Sequence, residues 1–338
     1  MGDRRFFEEV KCATATALMR ELELASRRWR RGHVGPRDWL FRGQGDERWG
    51  LQPSSLRTPA ARVGPSARPP VGGLRFAAMW REAESLRDFI VEADRAGLPV
   101  PGSDVILRSI HAQADALWER LSDSAEKSQF WPPDHLLEAL ALAQHYGIPT
   151  RLLDWSLDPR ASAYFAARDA IRLAETRSSR RLAIWALSRP FYNRVFNFSE
   201  AHILLQSPRA GNANMRAQSG MFTLDRNPGP SLPDYVPEPL ELALAGAVEE
   251  ADVAVRRNIA PYLPGLIKLT LPSSEAPSLL YLLYVNGVSA ASLFPGYAGV
   301  VESIRERRYL RDPHATPKRA KLTRIDDGGV LPKTRRRT

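Results

Sequence analysis

The segment at residues 140–170, LALAQHYGIPTRLLDWSLDPRASAYFAARDA, places several chemically capable side chains directly after an apolar helix. His145 titrates near neutral pH and can accept or donate a proton. Arg151 is a planar cation suited to phosphate or carboxylate, while Asp154 and Trp155 add a carboxylate and an indole ring. This pattern is typical of an anion-binding cleft, but it also suits a buried polar network in which Arg151 pairs with Asp154 or a carbonyl and His145 donates to a neighbour.

The helix that leads into this segment has almost no polar face. Glu138 is the only charged residue in 136–146, and a helix that is apolar all round is a buried helix. Gln144 and His145 therefore lie at its inner end, where each buried polar atom needs a partner or costs about 1–3 kcal/mol. Gly147 predicts the end of the helix.

A second segment, WLFRGQ at 39–44, predicts a short strand that carries Arg42 and Gln44. The glycine between them allows a ligand to approach the backbone closely, and Arg42 can bind an anion with two parallel hydrogen bonds. The structural alternative is an ion pair between Arg42 and Asp154 or Glu47. Both alternatives stay open from the residues alone.

Bulk properties exclude several classes of protein. No run of 18 apolar residues occurs, so we expect neither a membrane span nor a membrane partner. The single cysteine, Cys12, fits a cytoplasmic protein without an internal disulfide. The net charge is +10, and the tail 314–338 alone holds eight Lys or Arg against two Asp. This tail could bind nucleic acid through its phosphates.

The order of patterns predicts an α+β protein, with helices in the first half packed on a central, mostly antiparallel sheet. We expect one long N-terminal helix, from Arg4 to Arg31, over the segment 1–35, one domain over 36–312 and a basic, disordered tail at 313–338. The remaining predicted helices and strands are helices at 76–95, 104–127, 132–147 and 158–175, strands at 181–188, 201–207, 220–224 and 265–271, and closing helices from 278 and after Pro295, with a loop at 58–73.

Five motifs in this order resemble the FRG domain of bacterial proteins. They are FRGQ at 41–44, LQPSSLR at 51–57, LAQHYGIPTRLLDWSLDPRASAYFA at 142–166, RAQSGMFTL at 216–224 and SLFPGYAGVVESI at 292–304. The resemblance implies a bacterial, cytoplasmic, single-domain protein, and it supplies little chemistry. The Pro- and Arg-rich insertion at 58–73 and the Gly-Tyr of LFPGYAG depart from the family pattern.

The favoured hypothesis for function is an ADP-ribosyltransferase-like enzyme that uses NAD as its substrate, with a bacterial toxin or defence role. It rests on an analogy of layout: an early strand with Arg42, a middle element with His145 and Tyr146, and a late strand with Gln218. Arg42 would hold a diphosphate, Tyr146 or Trp155 would stack on a ring, His145 would orient the ribose, and Gln218 would stabilise the positive charge that forms as nicotinamide leaves. Gln44, Arg151 and Asp154 complete the expected ligand-binding set. No Glu-x-Glu accompanies Gln218.

Two alternatives remain. The first is a nucleic-acid-acting toxin that works without a metal, with His145 as general base and the basic tail on phosphates. No H-E-x-x-H motif occurs, and we expect no metal. The second is a non-catalytic binding module for a small anion, whose protein partner is unknown. Neither a P-loop nor a Rossmann glycine motif is present.

Overall fold

The computed structural model describes residues 6–57, 74–103, 131–174, 180–206, 217–226 and 238–314, with backbone alone for 74–80. Its centre is an open seven-stranded sheet in the order β1-β7-β4-β2-β3-β6-β5. Only the edge pair β1 and β7 is parallel, and all other neighbours are antiparallel. The strands are β1 (Phe7–Lys11), β2 (Trp39–Gln44), β3 (Leu152–Ser156), β4 (Arg181–Ser188), β5 (His202–Leu205), β6 (Gly220–Asp225) and β7 (Leu266–Pro272).

Eleven α-helices surround this sheet within the described part of the chain. They are α1 (Ala15–Glu21), α2 (Ser54–Arg57), α3 (Leu74–Arg95), α4 (Leu137–His145), α5 (Pro159–Ala174), α6 (Arg189–Val195), α7 (Leu240–Glu250), α8 (Val253–Ile259), α9 (Ala276–Val285), α10 (Ala290–Leu293) and α11 (Tyr297–Glu306). None of the described helices is long and apolar enough to cross a bilayer.

Side-chain alternation along the strands divides the core into three clusters. Trp39 and Phe41 of β2 pack against α1, α5 and α9, whereas Leu40 faces the opposite side with α6 and α7. The third cluster joins α3 and α4 to Leu152 of β3 and to β6. Leu153 shares the cluster of Leu40, so the first and third clusters lie on the same face of the sheet. They meet over the junction of β2 and β3.

Two glycines let α5 lie directly on β2. A Cβ atom at Gly43 would stand 1.8 Å from the carbonyl oxygen of Ser162, and one at Gly45 would stand 2.7 Å from Cβ of Asp169. The helix begins at Asp158, whose Oδ1 accepts a hydrogen bond from the Arg160 backbone N–H at 2.9 Å. Glycine at position 43 of β2 and at position 45, directly after the strand, thus sets how closely α5 approaches the sheet.

The prediction of a helix across 1–35 is wrong. The described part of this segment instead forms the edge strand β1, the short helix α1 and a 3-10 turn at Arg27–Trp29. Pairing with β7 overrides the local helical pattern, since each residue of β1 has a partner on that strand. Glu8 of β1 accepts 2.7 Å hydrogen bonds from both Arg28 and Arg31, and these bonds hold the edge strand against the following turn.

Most other predicted elements are confirmed, including the α+β class and the mostly antiparallel sheet. The helix ending at Gly147 is α4, and Gly147 has the positive φ of 96° expected of a helix stop. The strand β3 was not predicted. The predicted loop at 58–73, the helix at 104–127 and nearly all of the tail lie outside the described residues.

Candidate functional site

The sheet comes apart between β2 and β3. Phe41 opposite Ser156 is the one registered pair there, whereas every residue of β2 pairs with β4. Beyond that pair, β2 and β3 are joined by a side-chain hydrogen bond, in which Nη1 of Arg42 donates to the carbonyl oxygen of Asp154 at 2.8 Å. The opening leads into a cavity of about 330 Å³, a size within the range for small-ligand sites.

The cavity lies at the seam between the two helical groups on one face of the sheet. Its walls come from β2, β3 and β6, from the C-terminal end of α4, from one face of α5, and from the turn after α10. The lining residues include Arg42, Gln144, His145, Asp154, Trp155, Ser162, Phe165, Asp169, Gln218 and Phe294.

Arg42 is the main cation of the cavity. Its side chain is 14% exposed, and its Nη1 lies 3.4 Å from Oδ2 of Asp154 in addition to the backbone contact. Its Nε is buried and has no hydrogen-bond partner among the described residues. A buried donor of this kind normally has a partner, so this N–H is an unsatisfied polar group in a residue that lines the cavity.

Asp154 is held at the mouth of the cavity by the end of α4. Its side chain is 58% exposed, and its Oδ1 accepts a hydrogen bond from Nε2 of Gln144. The hydroxyl of Thr150 donates to the other end of the same amide, which fixes how the amide is turned. The carboxylate is therefore oriented by the protein while one side still faces solvent.

His145 enters the cavity in its neutral form. Burial lowers the pKa of the imidazole, and the nearby Asp154 opposes that shift without reversing it. At neutral pH the ring therefore has one nitrogen able to accept a proton. Its edge also contacts the ring of Tyr146, with centroids 5.2 Å apart.

Asp169 is a second carboxyl group in the wall, and the sequence did not indicate it. Burial raises its pKa even though Arg172, Arg168, Arg42 and Arg57 all act in the opposite direction. Its carboxyl group forms no hydrogen bond, and no ion pair within 4 Å, with the other described residues. Ser162, Phe165 and Asp169 share one face of α5, and that spacing is the signal that could have found them.

Arg57 is a second cation that sequence reasoning missed, although it ends the LQPSSLR motif. Its Nε donates to the carbonyl oxygen of Gln52 at 2.6 Å. Desolvation lowers its pKa, and the charge of Arg42 adds to that effect. Two guanidinium groups therefore act on each other near the cavity, and Asp154 and Asp169 partly offset them.

Five of the eight predicted site residues line this cavity: Arg42, His145, Asp154, Trp155 and Gln218. Two of the five are also engaged elsewhere. Nε1 of Trp155 donates to Oγ1 of Thr223 at 3.0 Å, and Nε2 of Gln218 donates to the carbonyl oxygen of Leu293 at 3.2 Å.

The other three predicted site residues lie away from the cavity. Gln44 is buried, accepts from Nε1 of Trp185 at 2.8 Å and donates to the carbonyl oxygen of Gly50 at 3.0 Å. Tyr146 is exposed on the far side of His145. Arg151 is buried, and its Nε donates to Oε2 of Glu82 at 2.5 Å. Of the two partners predicted for Arg151, Asp154 is not bound, whereas a carbonyl is: Nη1 donates to the carbonyl oxygen of Trp131 at 3.4 Å.

Metal ligation finds no support in the described residues, which contain no group of three His, Cys, Asp or Glu side chains placed to hold an ion. The cavity lining instead includes two carboxyls, a neutral imidazole, a guanidinium, two glutamine amides and four phenyl rings. This set can bind a ligand that has an anionic part, hydroxyl groups and an aromatic ring.

The architecture is that of an α+β protein with a polar cavity where strands β2 and β3 separate. Residues 37–174 match the FRG domain model, and the chain contains an FRG domain over those residues. No curated protein and no solved structure matched the chain. The matched range holds Arg42, His145, Asp154 and Asp169, whereas Gln218 lies beyond it.

Proposed function

We propose that the cavity binds a phosphate-bearing nucleotide of the NAD or ADP-ribose type and that the protein is an ADP-ribosyltransferase-like enzyme. The observation that carries this proposal is the buried, unpartnered Nε of Arg42 beside an oriented carboxylate. A guanidinium edge recognises a diphosphate, and a carboxylate stabilises the positive charge that develops on a ribose during glycosyl transfer.

The roles follow from the positions of the side chains. Arg42 would hold the diphosphate, and Asp154 at the mouth would stabilise the charged ribose. Phe165 and Phe294, which line the cavity, would contact the base. The sequence assigned this role to Tyr146 or Trp155, but Tyr146 is exposed and outside the lining, and Trp155 borders the cavity while its side chain belongs to the core cluster of Leu40. In the reaction the ribose C1′–N bond breaks and its electrons return to nicotinamide. The acceptor oxygen bonds to C1′, and its proton passes to neutral His145.

Binding of ADP-ribose and NAD to the full-length protein tests the proposal, with affinity measured by calorimetry. We expect Arg42→Ala to weaken binding by at least about tenfold, and Arg42→Lys to weaken it nearly as much, because a point charge does not replace the planar fork. The matched control is Arg181→Lys. That guanidinium also lies against the sheet, but it donates to the carbonyl oxygens of Cys12 and Thr270 on the side of β4 away from β2.

Release of nicotinamide, followed by chromatography, separates an enzyme from a binding module. Asp154→Asn and His145→Ala should each lower the rate of release by at least about a hundredfold while ADP-ribose still binds. Binding without release by the unaltered protein would favour the binding module, which the ion pair between Arg42 and Asp154 also fits. Equal affinity of Arg42→Ala and the unaltered protein would disprove the assigned site.

A further inference from the structure

The outer face of α11 is an exposed apolar stripe. Tyr297 is 92% exposed, and Val300, Val301 and Ile304 are between 45% and 55% exposed. Positions separated by three, four and seven residues lie on the same side of a helix. These four side chains therefore form one continuous strip, named here the α11 stripe.

The acidic residues of α11 are turned away from this surface. Glu302 accepts hydrogen bonds from Arg168 at 2.8 Å and from Arg172 at 2.9 Å. Glu306 is buried and accepts from the hydroxyl of Tyr164 at 2.5 Å. Because both carboxylates bond to α5, they contribute little negative charge to the outer face and they anchor the helix to the core.

The charges that do reach solvent at this end of the helix are positive. Arg305, Arg307, Arg308 and Arg311 are all exposed. Of these, Arg305 lies 3.7 Å from Glu302, and the others form no ion pair with a described acidic residue. The exposed part of 295–311 thus consists of apolar or small residues and arginines. In the sequence, eight more Lys or Arg follow within 314–338.

We propose that the α11 stripe and its adjoining arginines form a peripheral binding surface for anionic lipid bilayers. An apolar strip beside cations is the composition of helices that lie in a membrane interface, where the strip enters the headgroup region and the arginines contact lipid phosphates. Nucleic acid would use the arginines but would leave the apolar strip in water. This contact requires no spanning helix, and it departs from the expectation that the protein has no membrane partner.

The packing of α11 indicates that the strip is presented permanently. A Cβ atom at Gly299 would stand 1.9 Å from the carbonyl oxygen of Phe294, so the helix is closely seated on the turn before it. Together with the two carboxylate anchors, this contact keeps the apolar residues facing outward without any conformational change.

Co-sedimentation of the full-length protein with vesicles tests the proposal. We expect binding to vesicles of equal parts phosphatidylcholine and phosphatidylglycerol, and little binding to phosphatidylcholine alone. The double variant Val300→Glu/Val301→Glu should lower the bound fraction by at least about tenfold. The matched control is Leu242→Glu/Val253→Glu, which places two charges on exposed apolar positions of α7 and α8.

A second pair of variants tests the cations. Arg307→Gln/Arg308→Gln should weaken binding by about fivefold for each charge removed, while Arg256→Gln/Arg257→Gln on α8 should change it little. Circular dichroism verifies that each variant is folded. The proposal is overturned if anionic vesicles are not bound, if Val300→Glu/Val301→Glu binds as well as the unaltered protein, or if either control pair loses as much binding as its test pair.

Discussion

Replacing Glu82 with glutamine tests whether Arg151 is a structural residue or a ligand-binding one. The pair is enclosed in the core, with exposed side-chain fractions of 2% for Glu82 and 6% for Arg151. Oε1 of Glu82 accepts from the Arg151 backbone N–H at 2.6 Å, and Oε2 accepts from Arg151 Nε at 2.5 Å and from Trp131 Nε1 at 3.1 Å. One carboxylate therefore satisfies three donors on two segments of the chain.

The expected loss follows from this geometry. The side-chain amide of the Glu82→Gln variant cannot accept at both positions, so at least one donor group would face the amide NH₂. The guanidinium of Arg151 would also stay buried without a counter-charge. Removing one partner of a buried ion pair costs about 3–5 kcal/mol in the free energy of unfolding. A double replacement, Glu82→Leu/Arg151→Met, should recover part of this loss, but the Trp131 N–H would remain unsatisfied.

The measurement is equilibrium unfolding in urea, followed by circular dichroism. The matched control is Glu92→Gln on the same helix, which removes an exposed ion pair to Arg95 at 2.6 Å and should cost no more than about 1 kcal/mol. If Glu82→Gln and Glu92→Gln destabilise the protein equally, the buried pair is not structural, and Arg151 returns to the set of ligand-binding residues.

Two further changes test the packing and titration around the cavity. Gly43→Ala should lower the free energy of unfolding by about 1–3 kcal/mol, because the new Cβ would meet the carbonyl oxygen of Ser162; Gly246→Ala, where nothing lies within 4 Å, should be neutral or stabilising. For Asp169, burial raises the pKa above its ordinary 3.8. The protonated carboxyl therefore adds to the free energy of unfolding fully below pH 3.8, and this contribution is lost as the pH rises through the pKa of the folded protein. Asp169→Asn should reduce the fall in unfolding free energy between the unfolded and folded pKa values of Asp169. If the unfolding free energy, measured in urea at several pH values, falls with the same slope in this variant, the raised pKa is contradicted.

Local patterns were sufficient to predict the elements that contain their own start and stop signals. The Asp-Pro beginning of α5 and the glycine after α4 are of this kind, and so are the apolar strands β4 and β7. The two strands that were missed depend on distant partners. β1 exists because β7 lies beside it, and β3 is a short run whose polar Asp154 and Ser156 obscure the strand pattern until β6 pairs with it.

The candidate site was predictable to a similar extent. Helical burial placed His145 at an inner helix end, and the strand prediction placed Arg42 on a sheet, but neither gave the distance between them. The partner of Arg151 could not be inferred from the sequence, since Glu82 lies 69 residues earlier, on α3, whereas Arg151 directly precedes β3. Asp169 was overlooked because its place in the cavity wall and its raised pKa come from the folded surroundings and not from its neighbours in sequence.

The strand near the start of the FRG match combines structural and cavity-lining positions within four consecutive residues. Phe41 fills the core, Gly43 admits α5, and Gln44 fixes Trp185 with a hydrogen bond. Arg42 lines the cavity, and its buried Nε has no hydrogen-bond partner among the described residues. Replacing Gly43 or Gln44 should therefore weaken ligand binding together with a lower free energy of unfolding, whereas Arg42→Lys should weaken it in a protein of unchanged stability. Comparing unfolding free energy with ADP-ribose affinity for each variant separates these two causes.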